Sequence, residues 1–269
     1  MWNKGLSYRE RTELGNVGIN KTTNTSTKKI TNTKKITNIK TSDTLNEDKN
    51  VSKHSLGLVF FPAFDWKISE THPERQERLL YTRDQIVEEG LLDIPNIREY
   101  NPIVADWDTI ERVHVGAPDL ESWVTEAHRV SAGGAIAAAD AVMRGEVDRA
   151  FALVRPPGHH AMAMVHGIRG FCTINIEAVM IQHMRQTYGI KRVAVVDTDV
   201  HHGDGSQDVF YHDPDTLYIS FHQDGRTLYP GTGFMDEFGG PQAIGSNIDI
   251  PLPPGTGDEG LMKVMRELV

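Results

Sequence analysis

The sequence predicts an α/β fold with a mainly parallel sheet flanked by helices, and two observations lead to this class. Apolar strand candidates alternate along the chain with helical segments, which is typical of parallel sheets with helical crossovers. The last two candidates, at 191–196 (KRVAVV) and 216–221 (TLYISF), are apolar on both faces. Strands buried inside a parallel sheet need that pattern, because helices cover both faces of the sheet.

The segment 1–53 is rich in Thr, Asn and Lys and repeats TKKITN at 27–32 and 33–38. Such a segment buries too little apolar surface to offset the entropy of ordering. We therefore expect a disordered, basic tail at 1–53 and a single domain at 54–269. A basic interaction arm is the alternative for the tail, although no aromatic or groove-reading motif supports nucleic-acid binding.

The first helix of the domain is predicted from THPE at 71–74, shortly after the globular pattern begins at LGLVFF. Thr71 and Glu74 have capping-box spacing, and Pro73 suits the first helical turn. The helix is expected to run to about Glu89 and to stop at Gly90.

Three further elements follow in order before the two apolar strands. An Ala-rich helix, SAGGAIAAADAVMRG, is expected to end at Gly145, and its small side chains predict close packing inside the fold. RAFALV at 149–154 is a strand candidate, and a helix is expected at about 177–188.

The net charge of −9 conceals an uneven distribution. Residues 1–53 contain eleven Lys and Arg against five Asp and Glu, which leaves seventeen against thirty-two in residues 54–269. A domain this acidic is a poor candidate for direct nucleic-acid binding. Cationic partners such as lysine-rich tails or polyamines suit it better, although solubility alone also accounts for the charge.

Cys172 is the only cysteine in the sequence, so an internal disulfide is impossible. The N-terminus lacks the apolar core of a secretory signal, and no run approaches the ~18 apolar residues of a membrane span. We expect a cytoplasmic protein without a membrane partner, in which Cys172 is a small buried core residue.

Three consecutive strand candidates each end in a polar, Gly-rich loop. These loops are RPPGHH (155–160), DTDVHHGDG (197–205) and HQDGRTLYPGTG (222–233). Because binding sites in parallel sheets form beyond the carboxyl ends of the strands, the three loops predict one common site.

Asp199 and His201 lie two residues apart, so in an extended segment both side chains point the same way. One carboxylate and one imidazole suit Zn²⁺, with Fe²⁺ or Mn²⁺ as lesser options, although such a pair by itself is more often an ordinary surface pair. Asp197 faces the same side, where it could orient a histidine or hold a monovalent cation.

The adjacent His159 and His160 suit general acid–base chemistry, because each can carry a proton near neutral pH. A carboxylate behind each ring would set its tautomer, and Asp197 and Asp204 are available in that number. A metal-binding or merely exposed His-His pair is the alternative, and for Asp204 the alternative is a turn residue between glycines.

Five motifs in this order closely resemble the zinc-dependent histone deacetylase superfamily, which includes acetylpolyamine and acetyl-lysine amidohydrolases. They are RPPGHH, GFCTIN, DTDVHHGDGSQD, SFHQDGRTLYPGTG and NIDIPLPPGTGD. The resemblance runs from about Leu56 to the last residue. It implies an arginase/deacetylase fold with zinc at the strand ends, and hydrolysis of acetyl-lysine or acetylated polyamines.

The resemblance also implies roles for individual residues. Asp199 and His201 resemble zinc ligands, and His160 resembles the general base. His159 resembles the partner that helps to hold or deliver the proton. Asp197 and Asp204 resemble the carboxylates that lie behind the two histidine rings. The walls of a narrow substrate tunnel are implied at Gly170, Phe171 and Tyr229. A structural potassium site, built largely from backbone carbonyls, is implied at Asp197, Asp199, His201, Ser220 and Phe221.

The sequence departs from the family pattern in two motifs. The family uses a third ligand, an Asp from a later strand, and a Tyr that donates to the developing oxyanion, and neither motif is present. We therefore expect a C-terminally truncated deacetylase with weakened zinc binding. His222 and Asp224 are assigned structural roles, and Ile176 replaces the polar residue that usually follows Asn175.

Two alternatives to an active deacetylase remain. The chain could be a fragment or pseudoenzyme that binds acylated amines without turnover, which its metal content would reveal. The second alternative is an arginase-like two-manganese hydrolase, and the two histidines of PPGHH argue against it. The oligomeric state cannot be inferred from the sequence.

Overall fold

The computed structural model describes residues 54–61, 67–115, 121, 124–164 and 166–268 of the chain. All of them belong to one unit, Asn50–Val269. The predicted disordered tail at 1–53 lies outside the described residues. Every helix within the described ranges is too short or too polar to cross a membrane.

The described residues form six strands and six α-helices. The strands are β1 (Leu56–Phe60), β2 (Ile97–Tyr100), β3 (Arg149–Leu153), β4 (Val193–Asp197), β5 (Thr216–Gln223) and β6 (Asn247–Leu252). The helices are α1 (Glu77–Glu88), α2 (Trp107–Glu111), α3 (Glu126–Met143), α4 (Ile176–Tyr188), α5 (Asp204–Phe210) and α6 (Asp258–Leu268), and a 3₁₀ turn at Leu91–Asp93 follows α1.

The strands pair in two sheets, in the orders β2-β1-β3 and β4-β5-β6, and every pairing is parallel. Asp197 at the end of β4 lies opposite Ser220 of β5, and Ser220 lies opposite Asp249 of β6. The predicted α/β class with parallel strands and flanking helices is therefore confirmed, and the carboxyl ends of β4, β5 and β6 open on the same edge.

The predicted capping box is wrong. Helix α1 begins at Glu77, and its first-turn amides receive no side-chain cap from Thr71. Glu74 instead is buried, and its carboxylate accepts a hydrogen bond from the buried Arg155 Nε at 2.7 Å. A tertiary ion pair thus uses the carboxylate that a local cap would need. The predicted end is correct, because α1 stops before Gly90, whose φ is +66°.

The Ala-rich helix begins earlier than predicted, at Glu126, and ends close to Gly145 as expected. Its small residues pack closely against neighbouring backbone. A Cβ at Gly133 would lie 2.6 Å from the carbonyl carbon of Ile103, which only glycine avoids. Together α3 and α4 contribute the buried side chains of the main core, among them Ala132, Ile136, Val179 and Ile181.

The prediction that both late strands are buried on both faces holds for β5 only. Every residue of β5 is buried or half-buried. In β4, alternate residues are exposed, and Val196 is 41% accessible in the described structure. Apolar composition therefore did not distinguish a strand buried on two faces from one buried on a single face.

Candidate active site

A cavity of about 540 Å³ opens at the carboxyl ends of the strands. The loops after β3 and β4 contribute to its lining. The lining residues are Pro73, Glu74, Arg78, Pro157, His159, His160, Gly170, Phe171, Asp199, His201 and Tyr229. The structure thus brings together both predicted histidines, both predicted zinc ligands and all three predicted tunnel residues.

His159 and Asp197 form one histidine–carboxylate pair. The His159 Nδ1–H donates to Asp197 Oδ2 at 2.9 Å, and the Tyr218 hydroxyl lies 3.0 Å from the same oxygen. The other carboxylate oxygen, Oδ1, accepts a hydrogen bond from the Asp199 backbone N–H at 3.0 Å. Asp197 is therefore held from both sides and fixes the tautomer of His159.

Burial alone would lower the pKa of His159, because it penalises the imidazolium. The hydrogen bond and the negative charge of Asp197 outweigh that effect, so the pKa of His159 is raised above its ordinary value. In the same pair, burial would raise the pKa of Asp197, but the bond to His159 lowers it overall. This pair therefore favours a protonated imidazole beside an ionised carboxylate.

His160 and Asp204 form the second pair, which is more deeply buried. The His160 Nδ1–H donates to Asp204 Oδ1 at 2.7 Å, and the side chains are 3% and 5% exposed. The Arg169 guanidinium donates to the other oxygen, Asp204 Oδ2. The structure therefore places a cation behind this carboxylate and a neutral phenol behind Asp197.

Burial lowers the pKa of His160, and the positive charge of the nearby His159 adds to that effect. Together they outweigh the hydrogen bond to Asp204. The pKa of Asp204 is also lowered, because its bond to His160 and the charges of His160 and Arg169 overcome the penalty of burial. His160 is thus neutral and Asp204 ionised near neutral pH, in contrast to the His159 pair.

The loop after β4 reaches this geometry through two glycines. A Cβ at Gly203 would lie 3.0 Å from His159 Nδ1 and would overlap Asp197 and Tyr218. A Cβ at Gly205 would lie 2.6 Å from the Ala161 carbonyl carbon. Only glycine lets the two loops approach this closely, which explains the Gly-Asp-Gly spacing around Asp204.

Asp199 and His201 offer two donor atoms at the cavity wall. Asp199 Oδ1 lies 3.0 Å from His201 Nδ1, and both side chains are substantially exposed. A carboxylate and an imidazole are suitable zinc donors, so their chemistry fits that metal in part. Across the described ranges no group of three His, Cys, Asp or Glu side chains converges, and catalytic zinc uses three protein ligands.

Aromatic rings form the cavity walls. The Tyr229 ring centre lies 5.0 Å from that of His160 and 6.1 Å from that of His201, in both cases edge to face. On the other side, Phe171 stacks edge to face against His72 at 4.4 Å. Burial raises the pKa of the Tyr229 hydroxyl, so this ring is neutral near pH 7.

The remaining predicted residues do not line the cavity. Ser220 and Phe221 are buried in β5, where Ser220 is opposite Asp197, and the implied potassium site stays a prediction. His222 is buried, with Nδ1 2.8 Å from Ser220 Oγ and Nε2 2.9 Å from the Gly233 carbonyl oxygen. Asp224 forms an ion pair with Arg226 at 2.9 Å.

Four residues of the site were not predicted as such from the sequence: Glu74, Arg78, Arg169 and Tyr218. Tyr218 lies within an apolar strand, two residues before Ser220, and the alternation of a strand places both on the face of Asp197. Arg169 is a lone charge in the run GIRGFC, which was a usable signal. Glu74 was read as a helix cap.

Comparison with known proteins agrees with this geometry. The model of the histone deacetylase domain matches residues 118–269, more than half of the chain. A probable deacetylase from Archaeoglobus fulgidus is 41% identical over 232 residues, which cover 79% of this chain and 63% of that protein. An acetylpolyamine amidohydrolase from Burkholderia pseudomallei is 43% identical over 143 residues, covering 51% of this chain and 40% of that protein.

The crystal structure of the HDA15 HD domain is similar with a TM-score of 0.70 and 28% identity, and the match covers 80% of this chain and 67% of that one. The chain spans less than two thirds of the length of the two curated relatives. The matched region contains all three polar loops, and the fold is the α/β arginase/deacetylase type that the motifs predicted. The chain belongs to the histone deacetylase family.

Proposed function

We propose that the protein is a zinc-dependent amidohydrolase that removes acetyl groups from acetyl-lysine or from acetylated polyamines. The observation that carries the proposal is that two histidine–carboxylate pairs lie side by side in one cavity, and their histidine pKa values are shifted in opposite directions. Hydrolysis of an amide needs a base for the attacking water and an acid for the leaving amine. Two adjacent histidines, each hydrogen-bonded to its own carboxylate, can meet both needs.

In this proposal His160 is the base. Its Nδ1–H is committed to Asp204, so its Nε2 is free to accept a proton from water. Asp204 stays ionised and stabilises the imidazolium that forms.

His159 is the acid in this proposal. Asp197 favours its protonated form and holds the ring through Nδ1, which leaves the Nε2–H to donate to the amine. The two ring centres are 4.1 Å apart, so both histidines reach the same substrate group.

Asp199 and His201 would hold the metal through Oδ1 and Nδ1, with Fe²⁺ as a lesser option than zinc. When bound, zinc would polarise the acetamide carbonyl and make a water molecule more acidic. Within the described part of the chain these two donors are one fewer than catalytic zinc sites use, so the proposal requires a further ligand to complete the site.

Phe171 and Tyr229 would grip the methylene chain of the substrate between their faces, and Gly170 leaves room for it. A structural potassium ion at the carbonyls beneath β4 and β5 is part of the same proposal, as is a cytoplasmic location.

A second candidate is a protein that binds acylated amines without hydrolysing them. The observation that favours it is that the described residues supply two convergent donors where catalytic zinc needs three. The cavity and its aromatic walls would then serve binding alone.

Zinc stoichiometry of the purified chain separates the two candidates. Elemental analysis after dialysis against a mild chelator is expected to give about one zinc per chain for the hydrolase, because the further ligand that this proposal requires would hold the metal. Asp199→Asn should lose that zinc, whereas Asp224→Asn, a nearby carboxylate outside the cavity, should retain it.

Acetate release is then measured with an acetyl-lysine peptide and with an acetylated polyamine. Retained zinc with acetate release supports the hydrolase, and the faster substrate identifies the class. Peptide binding without zinc or acetate release supports the second candidate. A chain that binds neither zinc nor peptide contradicts both.

A further inference from the structure

The turn Arg169–Cys172 has an unusual backbone. The Arg169 N–H donates to the Cys172 carbonyl at 2.9 Å, and the Cys172 N–H donates back at 2.7 Å. The two residues between them, Gly170 and Phe171, have φ values of +48° and +72°. Two successive left-handed residues define a tight two-residue turn, and Phe171 adopts this conformation at a steric cost. Such strain persists only where surrounding contacts impose it.

One contact is between the turn and His160. A Cβ at Gly170 would lie 2.8 Å from His160 Cγ and 2.9 Å from its Nε2. The turn backbone therefore lies directly against the imidazole ring.

The second contact is the Arg169 side chain. It leaves the same turn and donates through Nη2 to Asp204 Oδ2, while Asp204 Oδ1 receives the His160 Nδ1–H at 2.7 Å. Asp204 is almost fully buried, and a buried carboxylate is strongly stabilised by a charge-assisted bond to arginine. The turn, the carboxylate and the histidine thus form a closed loop of contacts.

We propose that Arg169 is a positioning residue that couples the wall of the cavity to the base. Through Asp204 it fixes the orientation of His160. Through its own backbone it fixes the turn that carries Phe171 into the cavity. The effect on turnover rests on the proposed hydrolase function, whereas the coupling of His160 to Arg169 does not.

The first test measures position without activity. The Cε1–H resonance of His160 is recorded by NMR in the full chain and assigned by its disappearance in His160→Gln. Arg169→Gln is expected to move this resonance, and Arg169→Lys, which keeps the charge, should restore most of its position. Arg226→Gln is the matched control, because Arg226 is also paired with a nearby aspartate but lies outside the loop of contacts.

The second test is kinetic. Arg169→Gln is expected to lower kcat about tenfold, the worth of one charge-assisted hydrogen bond, and also to raise KM because Phe171 is released. A variant that merely lost folded protein would lower kcat and leave KM unchanged. Arg169→Lys should recover most of both constants.

An unchanged His160 resonance in Arg169→Gln, equal to that of Arg226→Gln, overturns the proposal. Should Arg169→Gln not fold, Arg169→Met decides by the same comparison, because it also removes the donor to Asp204: a moved resonance supports the coupling, and an unmoved one refutes it. Absent turnover in the wild-type chain would count against the hydrolase function alone, because the NMR comparison still decides the role of Arg169.

Discussion

His114 should make the protein less stable in mild acid. The ring is buried and both nitrogens are occupied: Nδ1–H donates to the Met162 carbonyl at 2.9 Å, and Nε2 accepts the Asn175 N–H at 2.9 Å. Protonation would place a second N–H on Nε2, facing the donor of Asn175. Only the neutral ring therefore fits this site.

Burial lowers the pKa of His114 from 6.5 to about 4, although its bond to Met162 opposes the shift. When the folded pKa is the lower one, the unfolded chain binds the proton first as the pH falls. The resulting loss of stability begins near pH 6.5, grows as the pH decreases and is complete near pH 4. Above 6.5 both states are neutral and the residue has no effect on the pH dependence.

The magnitude follows from these two values. At about pH 5 the pH lies about 1.5 units below the unfolded pKa, and each unit is worth about 1.4 kcal/mol. His114 should therefore lower the free energy of unfolding by about 2 kcal/mol between about pH 7 and about pH 5. Other groups titrate in the same window, and His128, whose pKa burial also lowers to about 4, acts in the same direction.

A variant comparison isolates His114. Urea unfolding of wild type and His114→Gln is measured at about pH 7 and about pH 5, and the loss between the two is compared. The loss should be smaller by about 2 kcal/mol in His114→Gln, because glutamine does not titrate. The exposed His166 provides the control, and His166→Gln should lose as much stability as wild type. Equal losses in all three proteins would refute the reasoning.

Three further outcomes are expected. Gly133→Ala should lower the free energy of unfolding, measured in urea, by about 1–3 kcal/mol, because its Cβ would overlap the Ile103 carbonyl. Glu74→Ala should cost about 3–5 kcal/mol in the same assay, because it removes the carboxylate 2.7 Å from the buried Arg155. Since burial raises the pKa of the Cys172 thiol, iodoacetamide should modify the urea-unfolded chain but not the native one, as followed by mass spectrometry.

Each of these outcomes has a matched control. A Cβ at Gly257 would meet open space, so Gly257→Ala should change stability little. Glu70 pairs with Lys67 on the surface, and Glu70→Ala should also have little effect. Losses as large as those of the buried variants would contradict the packing and ion-pair arguments. Alkylation of native Cys172 at the unfolded rate would contradict its burial.

The sequence predicted the fold class because alternating strands and helices leave a local pattern. The strands β2 and β6 were not predicted, because their local sequences do not show a strand pattern. The strand IREY has apolar residues only at its ends, and β6 contains Pro251, which sequence rules place outside strands. Pro251 is accommodated because β6 is the outer strand of the described sheet β4-β5-β6, where its missing N–H costs no bond to a further strand.

The predicted capping box at Thr71 and Glu74 was wrong although its local pattern was present. Its spacing was correct, but Glu74 is bound by Arg155, which is 81 positions away in sequence. No local pattern contains that information, because the pairing exists only once the fold brings the two segments together. Removing one partner of a buried ion pair costs about 3–5 kcal/mol, which exceeds the roughly 1 kcal/mol that a cap contributes.

The candidate site shows the same division between local and tertiary information. The motifs identified both histidines and both carboxylates, because their residue types and spacing are local. The two pairs also differ in the second donor to each carboxylate, a neutral phenol from Tyr218 and a guanidinium from Arg169. These donors come from β5 and from a tight turn, so neither is a neighbour of its carboxylate in sequence. The proposed roles of acid and base depend on the burial of each ring and on the charges that surround it, which the fold sets and the motifs do not contain.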